Sequence, residues 1–249
     1  MKKLIILFSV LLFGFTIKTY SKPIPITGFE VIKMMHDKYT NGKWYKTLSF
    51  SQTTNFFEDG EIKKKEIWHE IMASPGRLHI RYEDFKSGSG MIFYNDSMFT
   101  FENFKLVAKQ RLIHDLIVLS NDVYHQPIEK TYQQLKELEY NLGYCYKDSI
   151  NGRAVYVIGR REKQEDYNYF VIDAENLYFV KMYKKRAKYV REIEFNKYVN
   201  IDGFWVESFI TFYKDGKIDT TEEYYDIKAN IPVDTNVFIP ENFAKIKNW

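Results

Sequence analysis

The chain has 249 residues, of which 45% are apolar, 28% charged and 18% aromatic. Such a chain can bury one sizeable core, is too hydrophobic for intrinsic disorder, and need not divide into two domains. The single cysteine, Cys145, excludes an intrachain disulfide framework and a cysteine-rich metal cluster.

The chain opens with Met1, Lys2 and Lys3, followed by the apolar stretch Leu4–Phe15. A basic start and an apolar run too short to span a bilayer comfortably have the form of a secretory signal. Residues 1–21 are therefore expected to be removed, with cleavage near Ser21, leaving a single domain over 22–249. Lys2, Lys3 and Lys18 leave with the leader, so Lys plus Arg falls from 36 to 33 and balances the 33 acidic residues. The formal charge of +3 is thus a property of the leader, and nucleic acid is not an expected partner. An exported protein in the periplasm is the expected location.

Phe29, Ile32 and Met35 recur at helical spacing, which predicts a short helix within 28–38. The period then changes to two. Turn signals recur at Asp59-Gly60, Asn95-Asp96, Asn151-Gly152, Asp202-Gly203 and Asp215-Gly216. Between them lie about eleven strand candidates: 46–57, 62–73, 77–83, 91–94, 98–102, 153–160, 167–173, 177–185, 189–198, 204–214 and 218–228. The composition is mainly β with α, and the succession predicts one large antiparallel sheet, strongly curved or partly closed. Leu78, Ile80 and Tyr82 share one face of their strand, with Arg77, His79 and Arg81 on the other. The alternation stops between Lys105 and Leu142. There Leu112, Leu116, Leu119 and Val123 predict one apolar helix, and 128–142 a second that begins after Pro127. Two helices inserted into a run of strands must lie on a face of the sheet or over its mouth.

Catalytic patterns are sparse. His69-Glu70 begins a zinc-protease motif, but Ala73 stands where the second histidine belongs. The five histidines lack metal-ligand spacing, and Gly88-Ser89-Gly90 lacks the spacing of a nucleophile elbow. No metal or other cofactor is expected. Cys145 reads as a buried, inert thiol. Lys181, Lys184, Lys185, Arg186, Lys188 and Arg191 crowd a predicted hairpin tip. They read as a solvated tip with acidic neighbours such as Glu192 and Glu194, or as a contact for anionic head groups.

Several segments in order form a further pattern: Ser49–Thr54 after the first helix, Trp68, a turn at Pro75, the Leu78/Ile80/Tyr82 strand, Tyr94-Asn95-Asp96, Phe99-Thr100-Phe101, and Val237-Phe238-Ile239-Pro240 at the close. Within residues 28–243 this pattern resembles the LolA-like family of periplasmic lipoprotein carriers, including its sorting-protein-like branch. The resemblance implies an unclosed β-barrel with helices over its concave side and an apolar cavity for the acyl chains of lipids or lipoproteins. It implies a non-catalytic carrier, a monomer, served by a membrane-associated donor or acceptor protein. It places Leu78, Ile80 and Tyr82 on the cavity wall, Phe99 and Phe101 on the next hairpin, and Leu112, Leu116 and Leu119 under a helical lid; Phe50 and Trp68 complete the set. One position departs from the pattern: Ser74 stands where the carrier has a basic residue tying the lid. Two alternatives remain, an exported hydrolase with a carboxylate pair in the cleft and a scaffold or interaction module.

Overall fold

The structure is a computed structural model that describes residues 26–163 and 166–249. The leader and its expected cleavage point lie outside the described residues. Helix α1 (Gly28–Tyr39) starts where Thr27 and Glu30 cap each other reciprocally, which satisfies two backbone N–H groups left free by the first turn. The chain then runs through β1 (Thr47–Glu58), β2 (Glu61–Ala73), β3 (Arg77–Tyr82), β4 (Gly90–Tyr94), β5 (Ser97–Glu102) and β6 (Lys105–Arg111). Helices α2 (Asp115–Ser120) and α3 (Ile128–Glu137) follow. The second half supplies β7 (Cys145–Ile150), β8 (Arg153–Ile158), β9 (Tyr169–Asp173), β10 (Phe179–Lys185), β11 (Val190–Ile201), β12 (Phe204–Lys214) and β13 (Lys217–Ala229).

The 13 strands form one sheet in the order β6-β5-β4-β3-β2-β1-β13-β12-β11-β10-β9-β8-β7. Two meanders, β1–β6 and β7–β13, are thus sewn together where β1 pairs with β13. Neighbouring strands pair antiparallel, and β6 and β7 remain edges, so the sheet is not closed. The topology explains the helices. The link from β6 to β7 must travel from one edge of the sheet to the other, and it does so across a face. The hairpin signals sit where backbone φ is positive, at Asp59, Asn95, Asp96, Asn151, Asp202 and Asp215, the conformation these small polar residues and glycine tolerate.

About eleven strands are expected, and the described residues form thirteen. Lys105–Arg111 is the sixth strand, exposed along its whole length. It lacks the apolar alternation of a half-buried strand because neither of its faces is buried. Its Lys105, Lys109 and Arg111 protect an open edge from pairing with another chain. Cys145–Ile150 is the other edge. The two predicted helices are shorter than expected, since 122–124 is a 3-10 turn and α3 ends at Glu137.

The faces of the sheet follow from register. Leu78 pairs with Met72 and Phe93, and Ile80 with Glu70 and Met91, so these share the inner face beneath α2. His79 and Arg81 point the other way, as alternation requires, but they do not meet solvent; both are fully buried. The C-terminal segment crosses the outer face through two 3-10 turns, Thr235–Phe238 and Pro240–Lys245. His79 Nδ1 donates to the Val237 carbonyl at 2.6 Å. The Arg81 guanidinium stacks 3.5 Å from the Phe243 ring centroid and donates to the carbonyls of Phe243 and Ile246. A second apolar cluster, Ile92, Phe99, Phe101 and Phe243, sits there. Among the described residues no helix is long and apolar enough to cross a membrane.

Candidate functional site

The inner face and α2 enclose a hollow of about 380 Å³, within the size range of small-molecule sites, roughly 300–1,000 Å³. Phe50, Trp68, Leu78, Ile80, Leu112 and Leu116, all expected from the sequence, line it. Met91 and Phe93 from β4, Ile210 and Phe212 from β12, and Ile193 from β11 extend the wall. Strand neighbours place these side chains: Trp68 opposes Tyr82, and Leu78 opposes Phe93, on one continuous face.

Four expected residues lie elsewhere. Tyr82 packs on Trp68 at 4.7 Å between ring centroids but does not reach the hollow. Leu119 is fully buried in the main core and is not part of the wall. Phe99 and Phe101 are on the outer face, which corrects the expectation. Phe99 pairs with Ile92 and Phe101 with Gly90, and these in turn pair with His79 and Arg81. Directly opposed residues share a face, so both rings fall under the C-terminal segment, where Phe101 stacks on Phe243 at 3.9 Å.

Helix α2 is tied at both ends. At its start, Lys184 Nζ stands 2.7 Å from Asp115 Oδ2, and the Tyr140 hydroxyl donates to the same carboxylate at 3.1 Å. Just beyond its end, Asp122 accepts from the Gly76 N–H at 2.9 Å and from the Ser74 hydroxyl at 3.0 Å. Ser74 Oγ also contacts Asn121 Oδ1. Thus Ser74 holds this junction by hydrogen bonds from the β2–β3 turn, with an acidic partner supplied from the α2 side. Burial pushes the Asp122 carboxyl up to about 6. Asp122→Ala leaves the Gly76 N–H unpaired and Ser74 with Asn121 as its remaining partner; we expect a loss of about 1–3 kcal/mol in unfolding free energy. Amide hydrogen exchange over 115–126 should accelerate alongside it, and an unchanged exchange pattern would remove this junction from the account of how α2 is held.

The hollow also carries three carboxyls beyond the expected apolar wall. Glu70, Glu207 and Glu222 line it, from β2, β12 and β13. Burial, then repulsion from Glu222 and Glu207, holds the Glu70 carboxyl well above the ordinary carboxylate range. Burial raises Glu222 as well, and pushes Glu207 up to about 8, with Glu222 adding to it. The signal for Glu70 was available, because strict alternation puts it on the face of Trp68. Glu207 was not legible in this way. Counting in twos from Ile210 sends it outward, but the strand pair is irregular at Lys197, whose φ is 50°, and the Ser208 hydroxyl donates to the Lys197 carbonyl at 2.6 Å. Beyond that irregularity Glu207 opposes Tyr198 and faces inward.

The basic cluster is largely committed to acidic neighbours. Lys181 pairs with Glu192 at 2.7 Å and Glu194 at 2.9 Å, and Lys185 with Asp166 at 2.6 Å. Arg186 and Arg191 instead contribute to the boundary of the hollow. Cys145 is half-buried, and burial pushes its thiol up to about 12, so it stays protonated and unreactive. Among the described residues no group of three or more His, Cys, Asp or Glu is placed to hold a metal ion.

No protein-family model matches the chain, and no curated protein matches it by sequence. Solved structures do share its fold. A DUF1329 family protein from Desulfovibrio piger superposes with a TM-score of 0.58 at 13% identity, over 85% of this chain and 95% of its own. A LolA superfamily protein from Nitrosomonas europaea gives 0.55 at 11% identity, over 86% and 97%. A domain from Vibrio parahaemolyticus, described as an outer-membrane lipoprotein-sorting protein, gives 0.58 at 11% identity, over 87% and 98%. The fold is LolA-like: a mainly β architecture built on an unclosed antiparallel sheet.

Proposed function

We propose that this protein is a non-catalytic carrier that holds a hydrocarbon chain, of a lipid or of a lipoprotein, in the hollow between the sheet and α2. The observation that carries the reading is the hollow itself, about 380 Å³ and walled by Phe50, Trp68, Leu78, Ile80, Phe93, Leu112 and Leu116. Removing a methylene from water is worth about 0.8 kcal/mol, so such a wall can bind an acyl chain without any chemical step. The leader read in the sequence adds export with cleavage near Ser21, and the family resemblance adds residence in the periplasm as a monomer and exchange of cargo with a membrane-associated donor or acceptor protein. The shared fold with a domain described as lipoprotein-sorting is consistent with that reading.

The hydrolase alternative has one observation in its favour, the three glutamates in the hollow. A carboxylate pair that cleaves glycosides needs its two members pushed apart, one protonated and one ionised. Here burial moves Glu70, Glu207 and Glu222 in the same direction. The arrangement therefore supports a binding role over an acid and base in concert.

The test is saturable binding of a fluorescent long-chain alcohol, whose head carries no charge, displaced by a series of straight-chain alcohols. Affinity should rise about fourfold per added methylene until the hollow is full. Leu116→Arg, which puts a charge under α2, should weaken probe binding at least about tenfold while the far-UV circular dichroism stays unchanged. Absence of saturable binding, or affinity independent of chain length, would overturn the carrier reading.

A further inference from the structure

A wall meant only for hydrocarbon has no use for buried acceptors, yet this one contains them. Glu207 is 6% exposed, lines the hollow, and its Oε2 has no hydrogen-bond partner. Gln52, in register between Trp68 on β2 and Tyr224 on β13, is fully buried; its amide N–H₂ donates to Thr54 at 2.9 Å, and its Oε1 is likewise unpartnered. An unsatisfied buried acceptor is costly and rare in folded proteins. Two such unpartnered oxygens on one inner face, one directly on the hollow, mark a place where a hydrogen-bonding partner is missing.

We propose that the hollow takes an alkyl chain that ends in a primary ammonium group, which donates to Glu207 Oε2 in the field of Glu70 and Glu222. The inference rests on the carrier reading above and names the head group of its cargo.

The surroundings favour a cation over other head groups. The groups that bear on Glu207 are the carboxyls of Glu70 and Glu222 and the hydroxyls of Tyr45, Tyr124, Tyr198 and Tyr224. Burial raises each of these hydroxyls, so they remain neutral. None of the three glutamates makes an ion pair among the described residues. Nearby cations are committed or peripheral. Lys184 is held by Asp115 at 2.7 Å. His114 is kept neutral, since burial pulls it down to about 4. Arg186 is exposed, and Arg191 lies 5.3 Å over the Phe212 ring at the β10–β11 hairpin; Arg191 favours ionised Glu222 without pairing to it.

An anionic head would meet three carboxyls, and the nearby cations that could answer its charge are committed or peripheral. A hydroxyl offers one donor and no charge. An ammonium offers three donors and a charge that an ionised carboxylate answers, which roughly doubles the strength of the hydrogen bond. The empty site keeps a proton on Glu207, because burial pushes it up to about 8. Binding the ammonium ionises that carboxyl and releases the proton to solvent, so amine affinity must increase between pH 6 and pH 8 while alcohol affinity does not.

The experiment is competition against the fluorescent long-chain alcohol by 1-decylamine, 1-decanol and decanoate at pH 6 and pH 8. Decylamine should bind at least about tenfold tighter than decanol at pH 8, with a smaller ratio at pH 6. The amine-to-alcohol ratio should collapse toward one in Glu207→Gln and shrink in Glu70→Gln. Equal affinities for amine and alcohol, a ratio indifferent to pH, or a preference for decanoate would overturn the ammonium assignment and leave the carrier reading standing. Failure of all three compounds to displace the probe would overturn both.

Discussion

Replacing Phe243 by alanine should lower the free energy of unfolding by about 3–5 kcal/mol, the usual cost of deleting a buried aromatic ring. Phe243 is almost wholly buried although it lies six residues before Trp249. Its ring stacks on Phe101 at 3.9 Å with planes 4° apart, and the Arg81 guanidinium lies 3.5 Å over it. The substitution therefore does more than open a cavity. Arg81 is buried with Nε and Nη1 already unpartnered, and the ring is one of the few groups that stabilise its charge there. Losing it exposes or strands a guanidinium under the C-terminal segment, so the effect should fall at the upper end of the range. Phe104→Ala, at an exposed ring, is the matched control and should stay within about 0.5 kcal/mol of the wild type. Urea unfolding of the two variants measures the difference. A loss below about 1 kcal/mol for Phe243→Ala would mean that the C-terminal segment rests on the sheet without stabilising it.

The same segment shows what the sequence could and could not reveal. The strands were legible because period two and the Asx-Gly turns agree over most of the chain, and the first helix because its apolar residues recur at helical spacing. The face assignment of Leu78 and Ile80 was legible for the same reason. What lay over the opposite face was not. Arg77, His79 and Arg81 read as an outward, hydrated row, since nothing local says that residues 235–245 return to cover them. Phe99 and Phe101 were misplaced by the same gap. Two aromatic rings on one face had to be buried, and the only cover visible in the sequence was the pair of inserted helices. Which face they take is decided by the register of β3 with β4 and β4 with β5, a long-range property. Lys105–Arg111 escaped notice because an exposed edge carries no hydrophobic period. In the site, the aliphatic and aromatic wall was half-readable, but Glu207 reaches it through a local irregularity at Lys197 that strict alternation does not contain.

Stability should be greatest in mildly acidic solution and fall as the pH rises toward 8, a consequence of the same carboxyls. In the unfolded chain a glutamate titrates near its model value of 4.5, whereas native Glu207 holds its proton to about 8. Between those values the native state binds more protons than the unfolded state, so stability declines with rising pH and levels off above about 8. Asp122, raised to about 6, declines over a shorter window that begins at 3.8, and Glu70 and Glu222 act in the same direction. The histidines oppose this on the acid side. His79 is pulled down to about 3 and His114 to about 4, both by burial. Their unfolded forms take up protons below 6.5 while the native ones do not, so stability is lost as the pH falls from 6.5 toward those values. Glu207→Gln isolates the largest resolved piece. Glutamine keeps the shape and never ionises, so the variant should exceed the wild type by on the order of 4 kcal/mol at pH 8 and converge with it below about pH 4.5, where both side chains are neutral. Unfolding curves across that range measure the gap directly. An offset independent of pH would show that native Glu207 titrates as it does in the unfolded chain, and would place a compensating cation beside it.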